Sequence, residues 1–314
     1  MGLKITSPGL LTTVQDLGRF ALSAKGFSPS GAMDPDSLLT ANRLLCNNDS
    51  EGALEMTLTG ISGEFTEDCV IALTGADMKW TLNDKELPRY KAVEIKKGDK
   101  IKSSASVNGM RAYLAVAGGF DVPAVMGSYS TNLKCRIGGF LGRKLLTGDE
   151  IPFRLERNQL LARYKGSADI PEFPEASTEI RVILGPQDDF FSEKGIHTFL
   201  SAGYTVTMES DRMGIRLDGE KIEASEGVDI ISDGIALGSV QIPSSGKPII
   251  MMADRQTVGG YAKIATVISA DIPRLAQARP NTKITFKAVS VKEAEKILKK
   301  HRRELAWLEY RLMF

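Results

Sequence analysis

The sequence has 314 residues, long enough for two domains of roughly 150 residues each. Its composition, 42% hydrophobic and 25% charged, is that of a globular protein that can bury a core. A formal net charge of +1 provides no overall field to attract nucleic acid or an anionic membrane, so neither is expected as a partner.

The cysteines, Cys46, Cys69 and Cys135, lie far apart and form no CxxC pair. This usage argues against a disulfide framework or a zinc site, and it is typical of a reducing compartment. No apolar run approaches the roughly 20 residues that a membrane-spanning helix needs. We therefore expect a cytoplasmic protein.

Most of the interpretable segments resemble short β-strands, because they are apolar or alternate in polarity and end at Gly, Pro, Asn or Asp. In chain order they are Val70–Leu73, Lys79–Leu82, Val93–Ile95, Arg111–Val116, Arg181–Leu184, Thr205–Met208, Pro248–Met252 and Lys283–Val289. Their spacing lacks the regular strand–helix alternation of a parallel α/β sheet. The sequence therefore predicts a mainly β protein made of barrels or sandwiches, with a few helices.

One helix is predicted to begin after Asp34. Asp34 is a good N-cap, and Pro35 stands where its missing N–H costs nothing. Met33 can contact Leu38 across the first turn. The helix should end near Cys46.

A second helix is predicted at the C-terminal end, opened by a capping box at Ser290–Glu293. An apolar stripe at helical spacing runs from Ala294 to Leu312. Three aromatic residues widen its second half: Trp307, Tyr310 and Phe314. We expect the first half, to His301, to pack on its own domain and the second half to serve self-association or partner binding.

The polar stretch 155–177 is predicted to connect two lobes, 1–165 and 166–314. The halves echo each other weakly. An apolar strand leads into Gly75–Asp77 in the first and into Ala253–Asp254 in the second. This echo favours a duplicated barrel.

The sequence excludes several kinds of self-sufficient enzyme. The chain has two histidines. His301 lies on the apolar stripe, and His197 is expected at the surface, so histidine-based nucleophilic catalysis and His-rich zinc sites are unsupported and no metal is expected. Ser245–Lys247 is followed by Pro248, where a P-loop needs Ser or Thr. No lysine stands in the sequence context of covalent biotin attachment.

Polar residues in glycine-rich loops remain as candidates for binding. Ser30, Gly31 and Asp34 precede the first helix and could seat an anion with backbone N–H groups and the helix dipole. The alternative is a well-capped helix after a tight turn. Hydroxyl-bearing residues in the glycine-rich loops around 118–143 could contact a small polar substrate, although barrel turns use the same residues; these are Ser128, Ser130 and Thr131.

A third group lies at strand ends in the second half. Arg212, Asp254 and Arg255 are predicted as catalytic residues that bind and polarise a substrate. Three neighbours are predicted to bind it: Asp211, Gln256 and Thr257. The alternative is an Asp–Arg pair that closes a turn.

These residues carry a family resemblance. The motifs, in order, are Thr13–Arg19, Ser30–Asp34, Ala117–Pro123, Asp211–Gly214 and Asp254–Thr257. They resemble the C subunit of 5-oxoprolinase, whose family includes the antagonist of the KipI kinase inhibitor and the allophanate hydrolase subunit 2 domain. The chain is also similar to half of the carboxyltransferase domain of urea carboxylase. The likeness extends to about residue 290, and the extension from about Lys299 lies outside it.

The resemblance implies two cyclophilin-like β-barrels in tandem. It also implies that the chain works with the A and B subunits of 5-oxoprolinase, of which the B subunit is KipI-like, in the ATP-dependent hydrolysis of 5-oxoproline to glutamate. Opening an unstrained lactam requires activation of a poor electrophile, and phosphorylation of the amide oxygen supplies it. Arginine and backbone N–H groups suit such a step.

We therefore expect a subunit that is inactive alone and acts on 5-oxoproline or a similar small amide. ATP would bind this chain or its partner. Two alternatives stay open. One is a regulatory protein that antagonises a KipI-like inhibitor, and the other is a carboxyltransferase lobe that receives carboxybiotin from another protein.

Overall fold

The structure is a computed structural model that describes residues 2–154, 167–225 and 227–313, with the backbone alone for 307–313. Contacts divide the chain into two units. The first comprises Met1–Arg19, Ser30–Phe173 and Glu304–Phe314, and the second comprises Phe20–Pro29 and Pro174–Arg303. The lobe boundary predicted after residue 165 falls within 155–166, outside the described residues.

Among its described residues, the first unit contains eleven strands, one complete α-helix and the end of a second α-helix. The strands are β1 Gly2–Ser7, β2 Leu11–Gln15, β3 Ala53–Thr57, β4 Ser62–Phe65, β5 Cys69–Asp77, β6 Thr81–Leu82, β7 Lys85–Glu86, β8 Ala92–Ile95, β9 Lys100–Lys102, β10 Asn108–Val116 and β11 Glu150–Pro152; the helix is α1 Pro35–Leu44. They form a six-stranded sheet in the order β11-β1-β4-β9-β6-β7 and a five-stranded sheet in the order β2-β3-β10-β5-β8.

The two sheets share one apolar core, because alternate residues of each turn inward. Leu3 and Phe65 of the first sheet cluster with Leu54 and Leu114 of the second, and none of them is exposed. Helix α1 packs on the other face of the five-stranded sheet, where Leu38 joins a second cluster. This placement fixes the N-terminus of α1 beside the sheet.

The second unit contains nine strands and three helices among its described residues. They are β12 Ser177–Leu184, β13 Tyr204–Val206, β14 Gly214–Asp218, β15 Asp229–Gly234, β16 Ser239–Gln241, β17 Ile249–Met251, β18 Val258–Tyr261, β19 Lys263–Val267 and β20 Lys283–Ala288, with α2 Glu193–Ser201, α3 Ile272–Ala276 and α4 Val291–Met313. The residues of α4 from Glu304 onward belong to the first unit. Seven strands close into a barrel in the order β12-β19-β16-β17-β14-β13-β20, and β15 and β18 form a separate two-stranded sheet.

The barrel fills its interior with alternate strand residues. Val182, Val240, Ile250 and Ile264 are buried there. Their neighbours along each strand therefore point to the outer face, which is where Arg216 and Gln241 lie. The alternation thus separates an apolar interior from a partly polar outer face.

The predicted mainly β architecture is confirmed, and so is the helix after Asp34. The Asp34 carboxylate accepts a hydrogen bond of 3.1 Å from the N–H of Ser37. The helix ends at Leu44, slightly earlier than predicted. Among the described residues, no helix has both the length and the apolar character needed to cross a membrane.

The C-terminal helix also begins as predicted. The N–H of Glu293 donates to Ser290 Oγ at 3.2 Å, and Glu293 Oε2 accepts from the N–H of Ser290 at 2.8 Å. Within the first unit, Arg43 Nη1 donates to the carbonyl of Leu305 at 2.7 Å. The side chains of Trp307, Tyr310 and Phe314 lie outside the described residues, so their role in an interface stays a prediction.

Candidate functional site

The turn before α1 is tight and buried. Ser30 and Gly31 both have positive φ, 55° and 94°, and a Cβ on Gly31 would lie 2.8 Å from the carbonyl oxygen of Leu17. The position therefore requires glycine. The N–H of Ala32 donates to the carbonyl of Asp16 at 2.8 Å, and the carboxylate of Asp34 accepts from Ser37 Oγ at 2.6 Å. The geometry is that of a capped helix after a tight turn, and the anion seat at Ser30, Gly31 and Asp34 stays a prediction.

A buried carboxylate organises the neighbouring loops of the first unit. Asp16 accepts hydrogen bonds from the N–H of Gly18 at 2.7 Å and of Tyr129 at 2.6 Å. It also accepts from the hydroxyls of Ser128, at 2.7 Å, and Ser130. Four donors therefore converge on one buried carboxylate and tie these loops together.

The predicted hydroxyls of the first unit are therefore used internally. Ser128, Ser130 and Thr131 have no exposed surface, and Thr131 Oγ1 donates to the carbonyl of Val14 at 3.0 Å. Asn132 Nδ2 donates to Ser30 Oγ at 3.1 Å, which joins this loop to the turn before α1. The structure brings Ser30 and these hydroxyls together, but their observed partners are protein groups.

A second buried network holds the start of α1. Glu55 Oε2 accepts from the N–H of Met33 at 2.8 Å and from the hydroxyl of Tyr113 at 2.7 Å. The Tyr113 oxygen in turn accepts from the N–H of Asp34 at 2.8 Å. Burial, and then the nearby carboxylates of Glu55 and Asp34, raise the pKa of Tyr113 well above its usual value. Tyr113 thus remains a neutral donor.

In the second unit, Arg212 and Asp254 form a bidentate ion pair. Arg212 Nε and Nη2 lie 2.9 and 3.1 Å from the two carboxylate oxygens of Asp254. Arg212 is 4% exposed, and the side chain of Asp254 is 17% exposed. The backbone pairs as well, because the N–H of Asp254 donates to the carbonyl of Arg212 at 2.9 Å. The pair therefore joins two loop segments behind a strand end.

Arg255 is also directed into the protein. Its Nε donates to the carbonyl of Ile235 at 3.1 Å, and its Nη1 donates to that of Met252 at 3.4 Å. Burial lowers the pKa of Arg255 from its usual value. The guanidinium thus has backbone partners, and the catalytic role predicted for Arg255 stays a prediction that this geometry does not favour.

A pocket of about 290 Å³ lies on the outer face of the barrel beside these residues. Its polar residues are Asp211, Arg216, Gln241, Gln256 and Tyr261. Its remaining wall is apolar or lacks side chains: Met213, Gly214, Pro243, Ile249 and Met251. A small, mixed pocket of this kind suits a small polar molecule with an apolar portion.

The pocket includes two of the predicted binding residues. Asp211 Oδ1 accepts from the N–H groups of Met213 and Gly214 at 2.8 and 3.0 Å, which orients its carboxylate at the pocket edge. Gln256 follows the strand end and lines the same pocket. Thr257 lies outside the lining and uses its carbonyl to accept from the N–H of Ile235 at 3.0 Å.

Strand register assembles the rest of the pocket. Arg216 of β14 pairs with Ile249 of β17, which pairs with Gln241 of β16, which pairs with Lys263 of β19. Paired residues project on the same face, so these four form one row across the outer face of the barrel. Sequence reasoning missed Arg216 and Gln241, although the alternation Ile215-Arg216-Leu217 marks Arg216 as outward-facing.

At the end of this row, Lys263 is 98% buried, with a side-chain exposure of 2%. Its Nζ donates to Asp233 Oδ2 at 2.7 Å and to the carbonyl of Gly234 at 3.2 Å. The hydrogen bond from Lys263 is the main cause that lowers the pKa of Asp233. The pair holds the β15 segment against the barrel. No cluster of His, Cys, Asp and Glu suited to a metal ion occurs among the residues that the structure describes.

Both the sequence and the fold of this chain match known proteins. The carboxyltransferase domain family, subdomain A and B, matches residues 25–288. The solved urea carboxylase of Kluyveromyces lactis superposes with a TM-score of 0.90 at 29% identity, covering 98% of this chain and 29% of that one. The fold is therefore that of a carboxyltransferase domain.

Relatives that match over nearly their whole length define the family more narrowly. The chain is 39% identical to the C subunit of 5-oxoprolinase from Haemophilus influenzae over 92% of both chains. It is 38% identical to the C subunit of 5-oxoprolinase from Escherichia coli over 99% of this chain and 98% of that one, so the likeness continues beyond residue 290, where the motifs had ended it. This chain belongs to the family of 5-oxoprolinase C subunits within the carboxyltransferase domain fold.

Proposed function

We propose that this chain is the C subunit of an ATP-dependent 5-oxoprolinase, which hydrolyses 5-oxoproline to glutamate together with its A and B subunits, the latter KipI-like. The observation that carries the proposal is the likeness to the C subunits of 5-oxoprolinase over nearly the whole of both chains. A shared domain alone would leave part of one chain unmatched.

The second unit supports the chemistry of such a protein. Substrate recognition falls on the pocket at Asp211 and Gln256, where carboxylate and amide groups can exchange hydrogen bonds with a small amide. Arg212 and Asp254 hold the neighbouring strand end through their ion pair. In this assignment they position the pocket, and phosphoryl transfer from ATP takes place with the partner subunits.

Co-expression tests the proposal. The chain is produced with the A and B subunits, and ATP hydrolysis and glutamate release are measured with 5-oxoproline. The complete assembly should couple the two products, and this chain alone should show no turnover above background. Turnover by the isolated chain, or none by the complete assembly, contradicts the proposal.

A second candidate function rests on the TM-score of 0.90 with urea carboxylase. In that case the chain is a carboxyltransferase lobe that accepts carboxybiotin from a separate carrier protein. Transfer of labelled carboxyl from a carboxylated biotin carrier to urea, with no 5-oxoproline turnover, would select this candidate. Tight binding to the KipI-like protein without either turnover would instead indicate a regulatory antagonist.

A further inference from the structure

The outer-face pocket of the second unit contains an amide that lacks adequate partners. Gln241 is 97% buried, with 3% of its surface exposed. Among the residues that the structure describes, its side chain makes a single long hydrogen bond, 3.5 Å from Nε2 to the carbonyl of Tyr261. A buried primary amide can make four hydrogen bonds, and burial without them is unfavourable. Gln241 therefore has unused hydrogen-bonding capacity directed into a pocket.

A second amide converges on the same point. A Cβ on Gly259 would lie 3.0 Å from Nε2 of Gln241 and 3.0 Å from Nε2 of Gln256. The absence of a side chain at Gly259 leaves room for both amides. Two primary amides side by side present donors and acceptors that match the N–H and C=O of a cis amide, such as a lactam or ureido group.

The other end of the pocket carries a cation. Arg216 is exposed and forms no ion pair within the described part of the chain. Two strand spacings separate it from Gln241 in the row described above, so their Cα atoms lie roughly 10 Å apart. A ligand between the two side chains can place a carboxylate at Arg216 and an amide at Gln241.

The wall between these groups suits a small ring. Ile249, Met251 and Pro243 provide apolar contact, and Gly214 leaves the floor open. The carboxylate of Asp211 at the edge disfavours a phosphate with several negative charges. The pocket is also small for a nucleotide, at about 290 Å³.

We propose that this pocket binds a small cyclic amide that bears one carboxylate, with Arg216 pairing the carboxylate and Gln241 pairing the amide. The choice of 5-oxoproline as the probe rests on the proposed function. The pocket itself is identified from the amides of Gln241 and Gln256, the guanidinium of Arg216 and the apolar wall.

Three probes separate the two contacts. 5-Oxoproline carries both groups, pyrrolidinone lacks the carboxylate, and cyclopentanecarboxylate lacks the amide. Binding to the full chain, alone and in complex with its partners, is measured by calorimetry. The wild-type chain should bind 5-oxoproline at least about tenfold more tightly than either analogue, which corresponds to about 1.4 kcal/mol for each lost contact.

Each substitution should abolish one preference. Arg216→Gln should remove the preference for 5-oxoproline over pyrrolidinone, and Gln241→Leu should remove the preference over cyclopentanecarboxylate. Arg274→Gln, at an exposed arginine of α3 outside the pocket, is the matched control and should leave both preferences intact. Arg216 is exposed, so its variant keeps the test decisive even if Gln241→Leu does not fold.

The outcomes separate this inference from the proposed function. Failure of both the chain and its complex to bind 5-oxoproline, or variants that keep both preferences, would overturn the pocket assignment. An active complex whose KM for 5-oxoproline is unchanged in both variants would overturn the pocket and leave the proposed function standing. A complex without 5-oxoprolinase activity, in which the chain still shows both preferences, would support the pocket and reject the proposed function.

Discussion

Replacing Asp254 with asparagine removes the charge that neutralises Arg212 and largely keeps the side-chain shape. Arg212 is 4% exposed and meets Asp254 at 2.9 and 3.1 Å. Removing one partner of a buried ion pair costs about 3–5 kcal/mol, because the other charge stays in a poorly solvated site. Asp254 retains 17% exposure, so water can approach, and we expect the lower end, about 3 kcal/mol.

Hydrogen exchange measures this loss locally. The N–H groups of Met252 and Asp254 donate to the carbonyls of Met213 and Arg212, each at 2.9 Å. A loss of about 3 kcal/mol should accelerate their exchange more than about a hundredfold, since each factor of ten is about 1.4 kcal/mol. Asp211→Asn is the matched control, because this exposed carboxylate can be replaced by an amide oxygen that accepts the same hydrogen bonds.

The double variant Arg212→Met with Asp254→Leu should recover most of the protection, because it leaves no buried charge. If Asp254→Asn changes the exchange rates less than tenfold while the assembled enzyme loses activity, the reasoning is refuted. The ion pair would then act on the substrate, which is the role predicted from the sequence for both residues.

Other predictions concern single side chains. Arg255→Ala should lower the free energy of unfolding by about 2 kcal/mol, because two hydrogen bonds from a charged donor are lost. Urea denaturation measures this free energy. An unchanged denaturation midpoint together with lost activity would instead favour a catalytic role for Arg255. The hydrogen-bonded guanidinium of Arg143 lowers the pKa of Asp149, so this carboxylate stabilises the fold above about pH 4 and ceases to do so as pH falls through its lower folded value. Asp149→Asn should therefore reduce the acid-induced fall in thermal midpoint, and an unaltered pH profile would exclude this contribution. Burial raises the pKa of the Cys69 thiol. A thiol reagent should therefore label the exposed Cys46 and Cys135 quickly, and Cys69 only when the protein unfolds. Fast labelling of all three thiols in the native protein would contradict this.

Local signals were sufficient to predict several elements. Asp34 followed by Pro35 specifies a helix start without any tertiary information, and the capping box at Ser290–Glu293 does the same for α4. The strand at Arg111–Val116 was recognisable because a buried strand is apolar along its length, and it lies within β10. Such features depend on neighbours within a few residues.

The candidate site depends on long-range register, which no local pattern encodes. Arg216 and Gln241 become neighbours only because β14 and β16 both pair with β17, and Tyr261 reaches the same pocket from β18, a strand of the separate two-stranded sheet. The polarity of a residue also leaves its partner undetermined. Ser128 looks like a substrate-binding hydroxyl in the sequence, but in the structure it donates to a buried carboxylate more than a hundred positions earlier, at Asp16.

The assignment of Phe20–Pro29 to the second unit has a consequence for biosynthesis. Ser28 Oγ donates to the carbonyl of Ala253 at 3.4 Å, so this segment, made early, completes a unit whose other residues begin at Pro174. At about 5–20 residues per second, roughly 7–30 s of translation separate Pro29 from Pro174. The second unit is therefore not a module that can be excised by one cut after residue 173. A fragment beginning there would lack a piece of itself, and supplying residues 20–29 as a separate peptide would be the way to complete it.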